Sequence, residues 1–135
     1  MAATAEITPA LAALLREACY AQLATLQPDG SPQITQVWVD TDGEHVIVNT
    51  TEDRQKHKNV KRDSRVAINV HDPSNAWRIA NIRGRVVEIT SEGAEDGIDA
   101  LARKYVGKDY PWRRPGEARV ILKIQPTRIH SMGVK

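Results

Sequence analysis

Two threonines followed by a cluster of cations occupy residues 50–65, TTEDRQKHKNVKRDSR. The segment holds six Lys or Arg residues and three carboxylates, a charge of +3, so the remaining residues carry −1 of the chain's +2. Proteins bind phosphate with hydroxyls, with nearby cations and with the unpaired N–H groups at a helix start. Because we expect a helix to begin just after Thr51, the segment predicts a phosphate site.

A solvated basic helix is the alternative interpretation of the same residues. In that arrangement Thr50 is the N-cap and Asp53 completes a pair similar to a capping box. The segment by itself leaves both interpretations open.

Other kinds of chemistry lack their usual residue patterns. The four histidines are scattered and Cys19 is the only cysteine, so no metal-ligand spacing occurs and we expect no protein-bound metal. The motifs GxSxG, GxGxxG and GxxxxGK[ST] are all absent. The sequence therefore predicts a protein that binds a reactive ligand rather than one that performs acyl transfer or uses a Rossmann or P-loop nucleotide site.

Composition limits the partners. A net charge of +2 is too small for a general nucleic-acid or membrane surface. The chain has no Phe and only six Trp and Tyr residues, so binding of single-stranded nucleic acid, which needs aromatic platforms, is disfavoured. A single cysteine suits a reducing compartment, and no basic leader or long apolar run is found. We expect a cytoplasmic protein with no nucleic-acid or membrane partner.

Alternating and helical hydrophobic patterns predict a mainly β chain with a few helices. Helices are predicted near residues 8–18, after Thr51 and at 92–105, and an ordered loop at 107–116. Strands are predicted near residues 20–26, 33–40, 45–50, 65–71, 77–90, 118–124 and 127–131.

Such a set of sequential strands in 135 residues favours one domain, 1–135, built as a small closed or split barrel with helices outside it. The strand at 33–40 has apolar residues on both faces, so we expect a second copy of the chain to cover one of them. Gly84 stands alone in a strand, which predicts a bulge or a close backbone approach.

The segments AQLATL, PDGSPQITQVWVD, DGEHVIVNTTEDRQKHKNVKRDSRVAINV, DPSNAWRIANIRGRVVEI and LARKYVGKDYP together resemble the pyridoxamine 5′-phosphate oxidase-like split β-barrel family. The resemblance covers nearly the whole chain and is greatest to a short actinobacterial branch that uses the deazaflavin coenzyme F420 in place of FMN. It implies a six-stranded split β-barrel that forms a homodimer, with two cofactors bound between the subunits.

The resemblance also implies which residues bind the cofactor. The family pattern that binds the phosphate matches Thr50, Arg54, Lys56, Lys58 and Asn59 in this sequence. The neighbouring Thr51 is also predicted to contact the cofactor. The ring is expected against the second strand, at Pro32, Gln33, Ile34, Thr35, Gln36, Val37 and Trp38. The partner subunit is expected to contribute residues that match Trp77 and Arg78.

The function that the resemblance implies is an F420H2-dependent reductase, which transfers a hydride from the deazaflavin C5 to an electron-poor double bond of a small enone, enoate or quinone. An FMN-binding oxidoreductase of the same fold and a non-catalytic F420 or flavin carrier remain the alternatives. No catalytic residue is identified, although Tyr110 and Arg78 are candidates for a proton donor. Oxidation of pyridoxamine phosphate is not expected, because the vitamin B6 oxidases carry an Arg and His pair in a longer C-terminal region and this chain stops at Lys135.

Overall fold

The computed structural model describes residues 4–134, which form three helices and seven strands. The elements in chain order are α1 (Pro9–Arg16), β1 (Tyr20–Leu26), β2 (Pro32–Val37), β3 (Val39–Thr41), β4 (Val46–Thr51), α2 (Gln55–Arg62), β5 (Arg65–Asp72), β6 (Asn75–Thr90), α3 (Ala94–Val106) and β7 (Arg119–Met132). The mainly β prediction is confirmed. No helix among these residues is long and apolar enough to cross a membrane.

The sheet closes on itself at Trp38. All strand pairs are antiparallel and the strand order is β2-β1-β5-β6-β7-β4-β3. Thus β2 and β3 lie at opposite edges of the sheet, although only Trp38 separates them in the chain. The chain must bend there from one edge to the other, which curls the sheet into the predicted split barrel.

Two boundaries differ from the sequence prediction. The single strand expected at 33–40 is divided at Trp38, because β2 pairs with β1 whereas β3 pairs with β4. The two strands expected at 118–124 and 127–131 form one strand, β7. Pro126 is accommodated within it because the register with β6 is irregular at Gly84, its partner residue.

The core lies inside the curled sheet. Alternate residues of each strand point inward, and the fully buried ones include Val46, Val48, Leu122 and Ile124. Helix α1 packs against β3 and β5, and its leucines Leu11, Leu14 and Leu15 are buried in the core. Its sequence signal was clear, because Thr8 caps the helix and a proline takes its first position.

Candidate functional site

A cleft of about 340 Å³ lies where β2 and β4 end, beside the start of α2 and under the loop that follows α3. Its walls combine cations, aromatic rings and aliphatic side chains, and none of its lining residues is a carboxylate. The lining residues are Gln36, Val37, Trp38, Asn49, Thr50, Arg54, Lys56, Ile98, Leu101, Tyr110, Trp112 and Arg119. Three cations without a lining carboxylate make this cleft suited to an anionic ligand.

Helix α2 begins three residues later than predicted. It starts at Gln55, and Arg54 takes the N-cap position without a side-chain capping bond. Thr50 is therefore not the N-cap, and the expected capping pair with Asp53 does not form; Asp53 instead accepts a hydrogen bond from the Thr51 hydroxyl at 2.5 Å. The Thr51 hydroxyl is therefore used in a hydrogen bond within the turn before α2. Thr50, and not Thr51, lines the cleft.

Lys56 is a nearly buried cation of the cleft. Only 7% of its surface is exposed, and no carboxylate of residues 4–134 lies within 4.0 Å of its ammonium group. Burial, together with the neighbouring Arg54 cation, lowers the pKa of Lys56 below its ordinary value. A nearly buried lysine whose ammonium group has no carboxylate within 4.0 Å among the described residues is unfavourable, so an anion in the cleft would stabilise it.

This lowered pKa predicts a pH dependence of anion binding. Burial lowers the pKa of Lys56 in the protein without ligand, whereas a bound phosphate would stabilise the ammonium form and raise this pKa. We expect the dissociation constant of a phosphate ligand to rise with pH before the ordinary lysine range is reached, because binding must then take up a proton. A titration of ligand affinity from neutral to alkaline pH measures this effect. Lys56→Arg, which keeps its charge, should flatten the profile, and an equally steep profile in that variant would contradict the assignment.

The remaining cations of residues 50–65 point elsewhere. Lys58 and Lys61 lie on the exposed face of α2. The Arg62 guanidinium donates to the carbonyl oxygen of Leu26. Arg65 forms a forked pair with Asp63, at 3.0 and 2.7 Å, and this hydrogen bonding lowers the pKa of Asp63 to about 2. The cluster is therefore divided, and Arg54 and Lys56 are its members at the cleft.

Asn59 is fully buried and is bonded on both sides. Its amide group donates to Thr25 Oγ1 at 3.0 Å and to Gln33 Oε1 at 3.4 Å, and its oxygen accepts from Gln55 Nε2 at 2.8 Å. These bonds connect α2 to β1 and β2. In this chain Asn59 therefore fixes the helix that carries Lys56, and its proposed contact with the cofactor remains a prediction.

We expect Asn59→Ala to lower the free energy of unfolding by about 2 kcal/mol, because Thr25 and Gln33 lose a buried partner. Urea denaturation measures this change, and Lys61→Ala, an exposed position on the same helix, is the control with little effect. A variant with unchanged stability but weakened cofactor binding would instead favour the direct contact that the family resemblance implies.

Only three of the seven residues predicted to contact the ring line the cleft. Gln36, Val37 and Trp38 line the cleft, whereas Pro32, Gln33, Ile34 and Thr35 do not. Ile34 is 68% exposed on the outer face of the sheet. Thr35 Oγ1 is buried without a hydrogen-bond partner among the described residues.

Trp77 and Arg78 lie on β6, outside the cleft of their own chain. Trp77 is 72% exposed. Arg78 is held by carboxylates of the same chain: it donates two hydrogen bonds to Glu17, at 2.9 and 2.8 Å, and one to Asp72 at 3.1 Å. Their contribution to a partner subunit's site remains a prediction.

Sequence reasoning did not assign several cleft residues. Asn49, Ile98, Leu101, Trp112 and Arg119 were not predicted, and Tyr110 was named only as a candidate proton donor. Helix α3 and the loop after it bring most of them to the cleft. The aromatic content of that loop was the available signal, but it did not indicate where the loop would pack.

An arginine fixes this loop. Arg113 donates to both carboxylate oxygens of Asp99, at 2.9 and 3.0 Å, and to Glu95 at 3.1 Å. The backbone N–H of Tyr110 also donates to Asp99, at 2.9 Å. The loop is therefore attached to α3 at the point where its aromatic residues meet the cleft.

Three contacts between aromatic rings are formed at and beside the cleft. The Trp38 ring stacks on Tyr105, with centroids 5.3 Å apart and planes 7° apart. Tyr110 meets Trp38 edge to face at 6.1 Å and Trp112 at 5.6 Å. The cleft therefore offers an anionic group its cations and a conjugated ring an aromatic surface.

Comparisons with known proteins agree with this architecture. A model of the pyridoxamine 5′-phosphate oxidase family matches residues 7–133. A solved structure of an F420 reductase is 34% identical, with a TM-score of 0.79, over 87% of this chain and 94% of that one. The conserved protein Rv2991 of Mycobacterium tuberculosis is 25% identical, with a TM-score of 0.68, over 98% and 89% of the two chains.

General stress protein 26 of Bacillus anthracis shares the fold, with 15% identity and a TM-score of 0.68 over 93% of each chain. A comparison with curated protein sequences found no match. The family model spans almost all of the described residues, and the split barrel superimposes on these solved structures. Both findings agree with the family resemblance of the sequence motifs. The chain belongs to the pyridoxamine 5′-phosphate oxidase family.

Proposed function

We propose that this protein is an F420H2-dependent reductase of small molecules. One observation carries the proposal: the cleft offers Thr50, Arg54 and the buried Lys56, and no carboxylate, to an anionic group. The similarity to an F420 reductase supports a phosphate-bearing deazaflavin as the source of that group.

The cleft residues fit the chemical groups of such a coenzyme. Lys56 lacks a carboxylate partner within 4.0 Å among the described residues, and a phosphate beside Arg54 and Thr50 would supply one negative group to both cations. Gln36, Val37 and Trp38 would direct the ring along β2. The coenzyme supplies the hydride, from C5 of its reduced ring, to an electron-poor double bond. The protein's own contribution is to orient both molecules and to exclude water.

The proposal includes a homodimer. Ile34 and Trp77 are large apolar residues that are 68% and 72% exposed, as expected for positions that another copy of the chain covers. Sedimentation of the purified protein with and without F420 tests this part. A protein that stays monomeric when loaded with F420 would contradict the shared site, although the cation cleft within one chain would remain.

The decisive experiment is a parallel titration of the purified protein with F420, reduced and oxidised, and with FMN. Quenching of cofactor fluorescence reports binding, and we expect F420 to bind more tightly than FMN. Binding of FMN alone would favour the FMN-dependent alternative. Failure to bind either coenzyme would refute the proposal.

A second measurement separates a reductase from a carrier. The F420H2 complex is mixed by stopped flow with a panel of enones, enoates and quinones, and oxidation of the coenzyme is followed by absorbance. We expect oxidation faster than in protein-free controls for at least one acceptor class. Oxidation at the protein-free rate throughout would favour the non-catalytic carrier.

A further inference from the structure

We propose that Arg119 is a third ligand-binding cation of the cleft, which completes an anion site with Arg54 and Lys56. The inference rests on the proposed function in so far as the anion is the phosphate of the coenzyme. It adds a binding residue from β7, outside the segment of residues 50–65 to which the phosphate was assigned.

Sheet register brings Arg119 to this place. In the antiparallel pair of β4 and β7, Arg119 lies opposite Thr51, at the end of β4 that leads into the turn before α2. Arg119 is only 6% exposed, and its remaining accessible surface lines the cleft. Thus a residue far along the chain lies beside the turn that carries Arg54 and Lys56.

The guanidinium of Arg119 is held in position before any ligand binds. Its Nη1 donates to Asn49 Oδ1 at 3.0 Å, and Asn49 Nδ2 donates in turn to the carbonyl oxygen of Ala94 at 2.9 Å. The guanidinium carbon lies 4.6 Å from the centroid of the Tyr110 ring. A cation fixed in this way loses little conformational entropy when it binds an anion.

The charge of Arg119 is only partly compensated. Glu117 Oε1 lies 3.5 Å from Arg119 Nε, but both atoms are buried and neither forms a hydrogen bond among the described residues. Glu117 also lies 3.7 Å from Arg114. No hydrogen-bond acceptor for Arg119 Nη2 is found in residues 4–134, which leaves this group for a ligand in the cleft.

Other arginines of the chain contrast with Arg119. Arg65, Arg78, Arg103 and Arg113 each donate a hydrogen bond to a carboxylate of their own chain. Arg119 instead keeps an Nη2 group without an acceptor among the described residues, at the surface of a cleft that Arg54 and Lys56 also line, and this arrangement suits an anionic ligand.

Inorganic pyrophosphate tests this inference without the coenzyme. Thermal denaturation is followed as pyrophosphate is added, and we expect stabilisation of the wild type with an affinity that Arg119→Gln lowers by about 10- to 100-fold. Arg103→Gln, at an exposed arginine paired with Asp109 outside the cleft, should retain the wild-type affinity. A wild type that pyrophosphate does not stabilise, or an unchanged affinity in Arg119→Gln, would overturn the inference.

A comparison of two ligands separates binding from packing. If Arg119 binds the phosphate, Arg119→Gln lowers the affinity for F420 by about 10- to 100-fold. The affinity for the corresponding phosphate-free deazaflavin should stay within about twofold of the wild-type value. Equal losses for both ligands would mean that Arg119 only supports Tyr110, and would overturn the inference. If Arg119→Gln does not fold, Arg119→Lys replaces it in the test. Because lysine lacks the forked guanidinium group, this variant should still lower the affinity for F420 but not the affinity for the phosphate-free deazaflavin.

The two proposals can fail separately. A protein that binds pyrophosphate through Arg119 but binds neither F420 nor FMN would refute the proposed function and keep the anion site. If the wild type and Arg119→Gln bind F420 with equal affinity, the proposed function stands and the proposed role of Arg119 is refuted.

Discussion

Replacing Lys56 by alanine is expected to weaken F420 binding by about 2–3 kcal/mol, or roughly 30- to 150-fold in Kd. The effect should be large because Lys56 is nearly buried in the cleft and lacks a carboxylate partner within 4.0 Å among the described residues. Fluorescence titration of the variant with F420 measures the change. Arg54→Ala should have a smaller effect, about 1.5 kcal/mol, because Arg54 is exposed and solvent screens its charge.

Two lysines of α2 provide the controls. Lys61→Ala removes an exposed cation from the same helix outside the cleft and should leave Kd unchanged. Lys58→Ala decides between two expectations, because the family resemblance assigns Lys58 to the phosphate whereas the structure places it on the exposed face of α2. Equal and negligible losses in the Lys56 and Arg54 variants would show that the anion binds elsewhere.

Gly84→Ala is expected to destabilise the fold by about 2–3 kcal/mol. A Cβ atom at this position would lie 2.6 Å from the backbone oxygen of Gln125 and 2.9 Å from Ile124 Cγ2. The backbone oxygen belongs to the paired strand β7 and cannot move without disturbing the β6–β7 register, which is already irregular beside Gly84. The midpoint of urea unfolding measures the change.

The same substitution at Gly97 is the matched control. Gly97 lies within α3, and a Cβ atom there would meet Asn49 Nδ2 at 3.4 Å and Ile121 Cδ1 at 3.6 Å, which are tolerable contacts. Because alanine favours a helix more than glycine does, Gly97→Ala should stabilise the protein by about 0.5–1 kcal/mol. Comparable destabilisation at both positions would contradict the close approach at Gly84 as the cause.

The limits of α2 show where local signals misled. Threonines followed by an acidic residue favour a helix start, and the sequence pattern therefore placed the start just after Thr51. In the structure the Thr51 hydroxyl is bonded to Asp53 within a turn, and the helix begins at Gln55. Side-chain hydrogen bonds of this kind compete with helix capping, and their geometry decides between the two.

The sequence by itself determined the mainly β class, the bounds of β1, and the grouping of Thr50, Arg54 and Lys56, which line one cleft in the structure. The β class follows from the alternation of apolar and polar residues along each strand, and the grouping of the cations follows from the charge within residues 50–65. Both are patterns among residues that are close together in sequence.

Only the tertiary structure decided the rest. The bend at Trp38, the burial of Asn59 against β1 and the arrival of Arg119 beside Thr51 each join residues distant in sequence. Strand register and the packing of helices on the sheet set these contacts, and a shift of one residue would turn Arg119 to the other face. Composition and residue spacing do not specify which residues pair between β4 and β7. The position of Arg119 in the cleft could therefore be found only from the folded chain.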